Sequence, residues 1–101
     1  MKIKAVIQNN IVSVKMLIPH PMETGRRKEQ NGVIVPAHYI TEVTATCKGE
    51  TVFHAELGPG VSKDPYLAFQ FDGAKAGDAL KVTWVDNKGG SETAEAAITA
   101  I

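Results

Sequence analysis

Ala79-Leu80-Lys81-Val82-Thr83-Trp84-Val85-Asp86-Asn87-Lys88-Gly89-Gly90-Ser91-Glu92-Thr93-Ala94-Glu95-Ala96-Ala97-Ile98-Thr99-Ala100-Ile101 reads as two strands joined by a tight turn. Leu80, Val82 and Trp84 fall on one face at period two, the spacing of a half-buried strand. Asn87-Lys88-Gly89-Gly90 carries the residues a hairpin turn requires. After it, Ala94, Ala96 and Ile98 oppose Thr93, Glu95 and Thr99. The Ala-Glu-Ala-Ala run is a good helix former in isolation. The flanking threonines, the turn before it and the even alternation favour strand. With that run read as strand, no convincing helix remains.

The same period extends outward through the chain. Lys2 to Gln8 alternates, Asn9-Asn10 is a two-residue hairpin signal, and Ile11 to Ile18 alternates again. Val33-Ile34-Val35-Pro36 reads as a short edge piece, because its proline forbids a central position. Tyr39 to Lys48 is β-rich. Lys48-Gly49-Glu50 turns into Thr51 to Leu57, and Tyr66 to Phe71 follows the breaker Gly58-Pro59-Gly60 and a loop over 61–65. These segments predict an all-β fold, an immunoglobulin-like β-sandwich of about seven antiparallel strands, with residues 1–101 forming a single domain. Trp84, Leu80, Val82, Phe53, Leu67, Phe69 and Phe71 are expected between the sheets.

One excursion breaks the pattern. Leu17-Ile18-Pro19-His20-Pro21-Met22-Glu23-Thr24-Gly25-Arg26-Arg27-Lys28 begins as a strand end and is cut off by two prolines, which cannot donate to a ladder. The chain stays polar and aperiodic to about Val33. An irregular segment of this length inside a small domain is usually functional or disordered, and Pro19, Pro21 and Pro36 reduce its freedom.

The totals exclude several classes. With 11 basic and 11 acidic side chains in 101 residues, the formal net charge is zero, without the cationic surplus of a non-specific nucleic-acid binder. No apolar run approaches the ~20 residues that cross a bilayer. Met1-Lys2-Ile3-Lys4 alternates charged with apolar and does not read as the core of a signal peptide, which by itself indicates the cytoplasm. The single Cys47 excludes an internal disulfide and a cysteine-rich metal site.

Few residues can carry chemistry. His20 and His38 bracket the excursion, and folded back they could share a metal or a proton. No HxH, HxxxH or Cys-His spacing supports a site, so they read as ordinary polar residues at strand ends. His54 faces outward on its strand. Cys47 is in step with Val43 and Ala45 and is expected to be buried and inert. Asp64 and Asp86 read as loop residues, and a single acid in a loop is weak evidence of a site. No nucleophile triad, phosphate cradle or carboxylate pair is present, so the chain reads as no enzyme, with no cofactor and no metal. Recognition remains. Met22 and Tyr66 fall in loops where burial looks difficult, and Met, Tyr and Arg are enriched at interface cores. Arg26-Arg27-Lys28 can pair with acidic groups or an anion.

At these residues the chain resembles the SoxZ family. The string His20-Pro21-Met22-Glu23-Thr24-Gly25 with its trailing cations, Pro36-Ala37-His38-Tyr39-Ile40, and Asp64-Pro65-Tyr66-Leu67-Ala68-Phe69 carry the resemblance, which runs over nearly the whole length. SoxZ proteins are the smaller subunits of the SoxYZ carriers of bacterial thiosulfate oxidation. The resemblance implies an immunoglobulin-like sandwich that forms a heterodimer with SoxY, whose cysteine near its C-terminus carries the sulfur intermediates, and on which other Sox enzymes dock. It also implies a periplasmic location reached by export with SoxY, against the reading from the N-terminus. Ala97-Ile98-Thr99-Ala100-Ile101 has strand pattern without cysteine or glycine, which agrees with a supporting role. The expected contact residues, on the 19–28 excursion and the 58–66 loop, are His20, Met22, Glu23, Thr24, Arg26, Arg27, Lys28, Asp64 and Tyr66.

Two rival readings differ in what they require. A stand-alone recognition module, fibronectin-like or carbohydrate-binding, would offer exposed aromatics, and the aromatic content is only 6%. A metal-dependent enzyme would use His20 and His38. Alone, a carrier subunit would expose an unpaired edge or an apolar face and tend to associate with itself.

Overall fold

A computed structural model describes the whole chain, Met1–Ile101. Its strands are β1 (Lys2–Gln8), β2 (Ile11–Leu17), β3 (Ile40–Cys47), β4 (Glu50–Glu56), β5 (Tyr66–Asp72), β6 (Ala79–Asp86), β7 (Ser91–Ala97) and β8 (Thr99–Ala100). They form two four-stranded sheets, ordered β5-β2-β1-β8 and β4-β3-β6-β7. The alternation sets the register. A one-residue slip of β2 would expose Val12, Val14 and Met16, which are all within 1% of complete burial. The turns match their residue types: Asn9 and Asn10 both adopt positive φ (54° and 66°), the mirror-image turn that suits the twist of a hairpin.

The all-β sandwich expected from the periodicity is the observed fold, with three corrections. The last segment is not one strand. It breaks at Ile98, and β8 crosses to the other sheet and pairs parallel with β1 through Val6↔Thr99 and Ile7↔Ala100. Ile98 is 1% exposed at the crossing, and its amide and carbonyl bond Asp78 and Gly77 from the loop before β6. One strand pair is therefore parallel. The second correction concerns Val33 to Pro36, which forms no strand beyond an isolated Lys28↔Ile34 bridge.

The third correction concerns the core. Its fully buried members are Val12, Val14, Met16, Ile18, Ile40, Val43, Leu80, Val82 and Ile98. Phe53, Leu67, Phe69, Phe71 and Trp84 pack against it while remaining half-buried. The phenylalanines sit on β4 and β5, the outermost strands on one flank of the two sheets, so their inward side chains lie at the rim. There Phe53 and Phe69 stack with centroids 4.3 Å apart.

The molecule measures 54 × 23 × 16 Å. Strands of this length reach only about 25 Å, and the remaining length belongs to the turns and to the excursion between β2 and β3, which forms an arm. Ile98→Ala should destabilise the domain by about 2–4 kcal/mol through cavity formation and should speed amide exchange in β1 and β8 more than in β3. Equal loss across both sheets would show that the crossing residue merely fills space.

Candidate functional site

The arm leaves β2 at two prolines and is fixed at once to the loop before β5. The Ile18 amide donates to the Pro65 carbonyl at 2.9 Å, and the His20 amide to Asp64 Oδ1 at 3.0 Å. Asp64 returns its own amide to the His20 carbonyl at 3.0 Å. Asp64 holds φ +54°, a conformation Asp tolerates better than most residues.

Met22 follows at φ +49°, unusual for a bulky residue. Three contacts hold it there. Its amide donates to His20 Nδ1 at 3.1 Å, its Sδ accepts the Ile40 amide at 3.4 Å, and its side chain joins the core at 5% exposure. Strain of this kind, roughly 1–3 kcal/mol, persists only where the surroundings over-determine it. The arm then folds back on itself. Glu23 and His38 exchange amide–carbonyl bonds of 2.7 and 3.0 Å, and Val35 donates to Arg27 at 2.8 Å. Gly25 allows the crossing, since a Cβ there would lie 3.2 Å from that of Ala37.

Both ends of the arm converge on one carboxylate. His20 Nε2 lies 3.1 Å and His38 Nε2 2.8 Å from Asp86 Oδ2. Asp86 Oδ1 accepts the amides of Lys88 (3.0 Å) and Gly90 (2.8 Å) from the β6–β7 turn. The side chains of His20 and Asp86 are 2% and 4% exposed, and that of His38 is 29% exposed. Burial pushes the Asp86 carboxyl up, but donation from both imidazoles and both amides outweighs it and holds the group far below the usual carboxylate range. The carboxylate can then only accept. Because Met22 N–H occupies Nδ1 of His20, the proton of that ring sits on Nε2 and points at Asp86.

Neighbouring contacts brace the cluster. Asn87 beside it accepts the Tyr39 amide (2.8 Å) and donates to the Ala37 carbonyl (2.9 Å). Trp84 meets the His20 ring edge-on at 5.2 Å. A Cβ on Gly90 would fall 2.8 Å from Asp86 Oδ2, so only glycine fits there.

Two imidazoles and a carboxylate are also a donor set for a divalent cation. The three facing atoms stand at hydrogen-bond separations, and a metal on His20 Nε2 would have to displace its proton and put a second donor against the Met22 amide. The residues as arranged fit a hydrogen-bonded anchor better than a metal centre.

The expected contact residues divide accordingly. His20 and Met22 are buried, which corrects both the reading of His20 as an ordinary strand-end residue and the difficulty foreseen in burying Met22. Asp86, read as a loop acid that is weak evidence of a site, is the anchor. Glu23 is half-buried and takes a two-pronged contact from Arg27, with Nη2–Oε1 at 2.8 Å. That guanidinium holds the Glu23 carboxyl below its ordinary value. Thr24, Arg26, Lys28 and Asp64 are exposed, and Arg26 and Lys28 form no ion pair. Tyr66, 61% exposed, lies off the arm at the start of β5. The arm's tip adds two residues outside the expected set, Val33 (56% exposed) and Ile34 (52%). Cys47 is buried as its strand step implied, and desolvation pushes its thiol up.

Comparison with known proteins supplies a family and a fold. A family model described as "Sulphur oxidation protein SoxZ" matches residues 1–97. No curated protein matches at a significant level. Among solved structures, superoxide reductase (neelaredoxin) from Archaeoglobus fulgidus in the reduced form aligns with a TM-score of 0.65 and 22% identity, covering 97% of this chain and 87% of that one. A variant of superoxide reductase from Ignicoccus hospitalis aligns at 0.60 and 20% identity, covering 99% and 78%. At such identities the likeness is one of fold alone.

Asp86→Asn should lower the melting temperature at pH 7 by about 10 °C or more, as expected for losing one member of a buried hydrogen-bonded charge cluster. The carboxyl is depressed in the folded state, so its contribution is full above about pH 4, its unfolded value, and is lost as pH falls through the lower folded value. Thermal melts from pH 7 to 2 should therefore show an acid-limb fall in wild type that is shallower in the variant. Parallel limbs would remove Asp86 as the anchor.

Proposed function

The chain belongs to the SoxZ family of sulphur oxidation proteins, and from that premise we propose that it is the non-catalytic subunit of a periplasmic SoxYZ carrier. In this reading it binds SoxY, whose own C-terminal cysteine holds the intermediates of thiosulfate oxidation. The observation that carries the division of labour is the position of Cys47. A carrier thiol must be reachable and ionised, whereas this one is 6% exposed at the end of β3, packed into the core, with its thiol pushed up by desolvation.

The arm supports the recognition half of the reading. Its base is fixed by Asp86 and Asn87, and its tip offers Val33 and Ile34 to solvent, with the unpaired Lys28 bridged to Ile34 and Glu29 bonded to Val33. An exposed apolar pair flanked by one cation and one acid suits a partner surface with an apolar pocket and a rim of both charges. A pre-ordered arm also loses little freedom on docking. Glu23, Thr24 and Arg27 lie nearer the arm's base. In this role His20 and Met22 hold the arm's base and do not touch the partner.

Co-expression with a SoxY chain should give a heterodimer on size exclusion. Thiosulfate-derived mass should appear on SoxY and never on this chain. The pair Val33→Asp and Ile34→Asp should weaken the heterodimer at least about tenfold with a melting temperature within about 2 °C of wild type. Unchanged affinity would move the interface off the arm, and a sulfur adduct on Cys47 would overturn the division of labour.

A further inference from the structure

The flank of the sandwich opposite β8 ends in a strand that is left open. β5 pairs with β2 over all seven of its residues, without a bulge, and no strand covers its other edge. The ladder fixes which groups face outward. The Ile18 amide bonds the Pro65 carbonyl, so that pair is hydrogen-bonded, and in an antiparallel ladder bonded pairs alternate. Leu67, Phe69 and Phe71 therefore spend their amides and carbonyls on β2. Tyr66, Ala68, Gln70 and Asp72 turn theirs away from it. The same phase carried across the sheet agrees: the Ile7 and Ala5 carbonyls point towards β8, where they accept from Ile101 and Thr99.

Other edges carry protection against pairing with a second chain. β8 is two residues long. β7 carries Glu92 and Glu95. β4 has a glutamate at each end and lies beside a register shift at Ala45/Thr46 in β3. Paired with itself about Phe53, β4 would set Glu50 against Glu56. β5 holds one charge, at its end, and no proline or lysine.

We propose that β5 is a self-association edge, and that two copies of this chain pair β5 to β5 antiparallel about a two-fold axis at Phe69. This register uses every outward group. Tyr66 meets Asp72 and Ala68 meets Gln70 as hydrogen-bonded pairs, each occurring twice. Phe69 meets Phe69 as a non-bonded pair, the type that brings side chains closest. No like charges are opposed, and Asp72 faces the Tyr66 hydroxyl-bearing ring. The half-buried Leu67, Phe69 and Phe71 of the two copies would form one continuous apolar rim, and the paired sheets would run to eight strands. Because β5 starts at the arm's end of the domain, antiparallel pairing places the two arms at opposite ends, free for other partners.

Sedimentation of the isolated chain across a concentration series should show a monomer–dimer equilibrium. Amide exchange at Tyr66, Ala68, Gln70 and Asp72 should slow as concentration rises, while β4 and β7 amides do not change. Ala68→Pro removes an outward amide without touching the β2 ladder and should weaken the dimer about tenfold or more. Ala68→Lys, which leaves the backbone intact at an exposed position, should do the same should the proline variant fold poorly. A concentration-independent monomer would overturn the proposal. So would protection at a different edge, or loss of SoxY binding in Ala68→Lys from a wild type that does not dimerise, which would give the edge to the partner.

Discussion

A single buried carboxylate governs how this molecule is put together. Asp86 receives two imidazoles on one oxygen and two amides on the other. Each donor comes from a segment with no regular secondary structure of its own. Removing the charge would leave four donors around a desolvated gap, which is why the cluster is stable only as a whole. The segment between β2 and β3 has almost no ladder to hold it, and this cluster, the Asn87 contacts and the clasp at Asp64 fix both its ends to the sandwich.

The strained Met22 belongs to the same arrangement. Its left-handed backbone turns the chain so that its amide meets His20 and its thioether meets Ile40. The residue that violates local preference is thereby the one linking the anchor to the core. Local rules tend to fail where a structure is constrained from several sides at once. The charged and apolar groups at the arm's tip then sit on a base that is already ordered. Its shape is set before any partner arrives.

The strands were legible in the sequence because alternation is a local signal. The alternation bounds Lys2 to Gln8 and Ala79 to Asp86 to the residue, and the turn at Asn87–Gly90 with the even alternation favours strand over helix in the alanine-rich segment after it. The anchor was not legible. His20 and Asp86 are 66 positions apart, and no spacing motif links a histidine between two prolines to an acid at a hairpin turn. Met22 looked exposed because its neighbours are polar, and only its backbone angle turns it inward. The split at Ile98 was hidden for a different reason. Alternation continues unbroken through the crossing, so nothing in the pattern records that the chain has changed sheets. The family strings at 20–25, 36–40 and 64–69 include His20, His38 and Asp64, which clasp the arm, whereas Asp86, the carboxylate on which the two histidines converge, lies outside them.

That change of sheets has a consequence for how the chain is made. Thr99 and Ala100 complete the border of the very first strand, joining positions more than ninety residues apart. Contacts between such distant positions are late and slow to form, because the intervening chain must first be closed into a loop. During synthesis β1 can pair with β2 across a two-residue turn, yet its far side stays bare until β8, more than ninety residues on, has also been made. The nascent polypeptide therefore carries an unfinished sheet through the whole interval between these two strands, which exposes it to capture by chaperones or by a companion subunit before it closes.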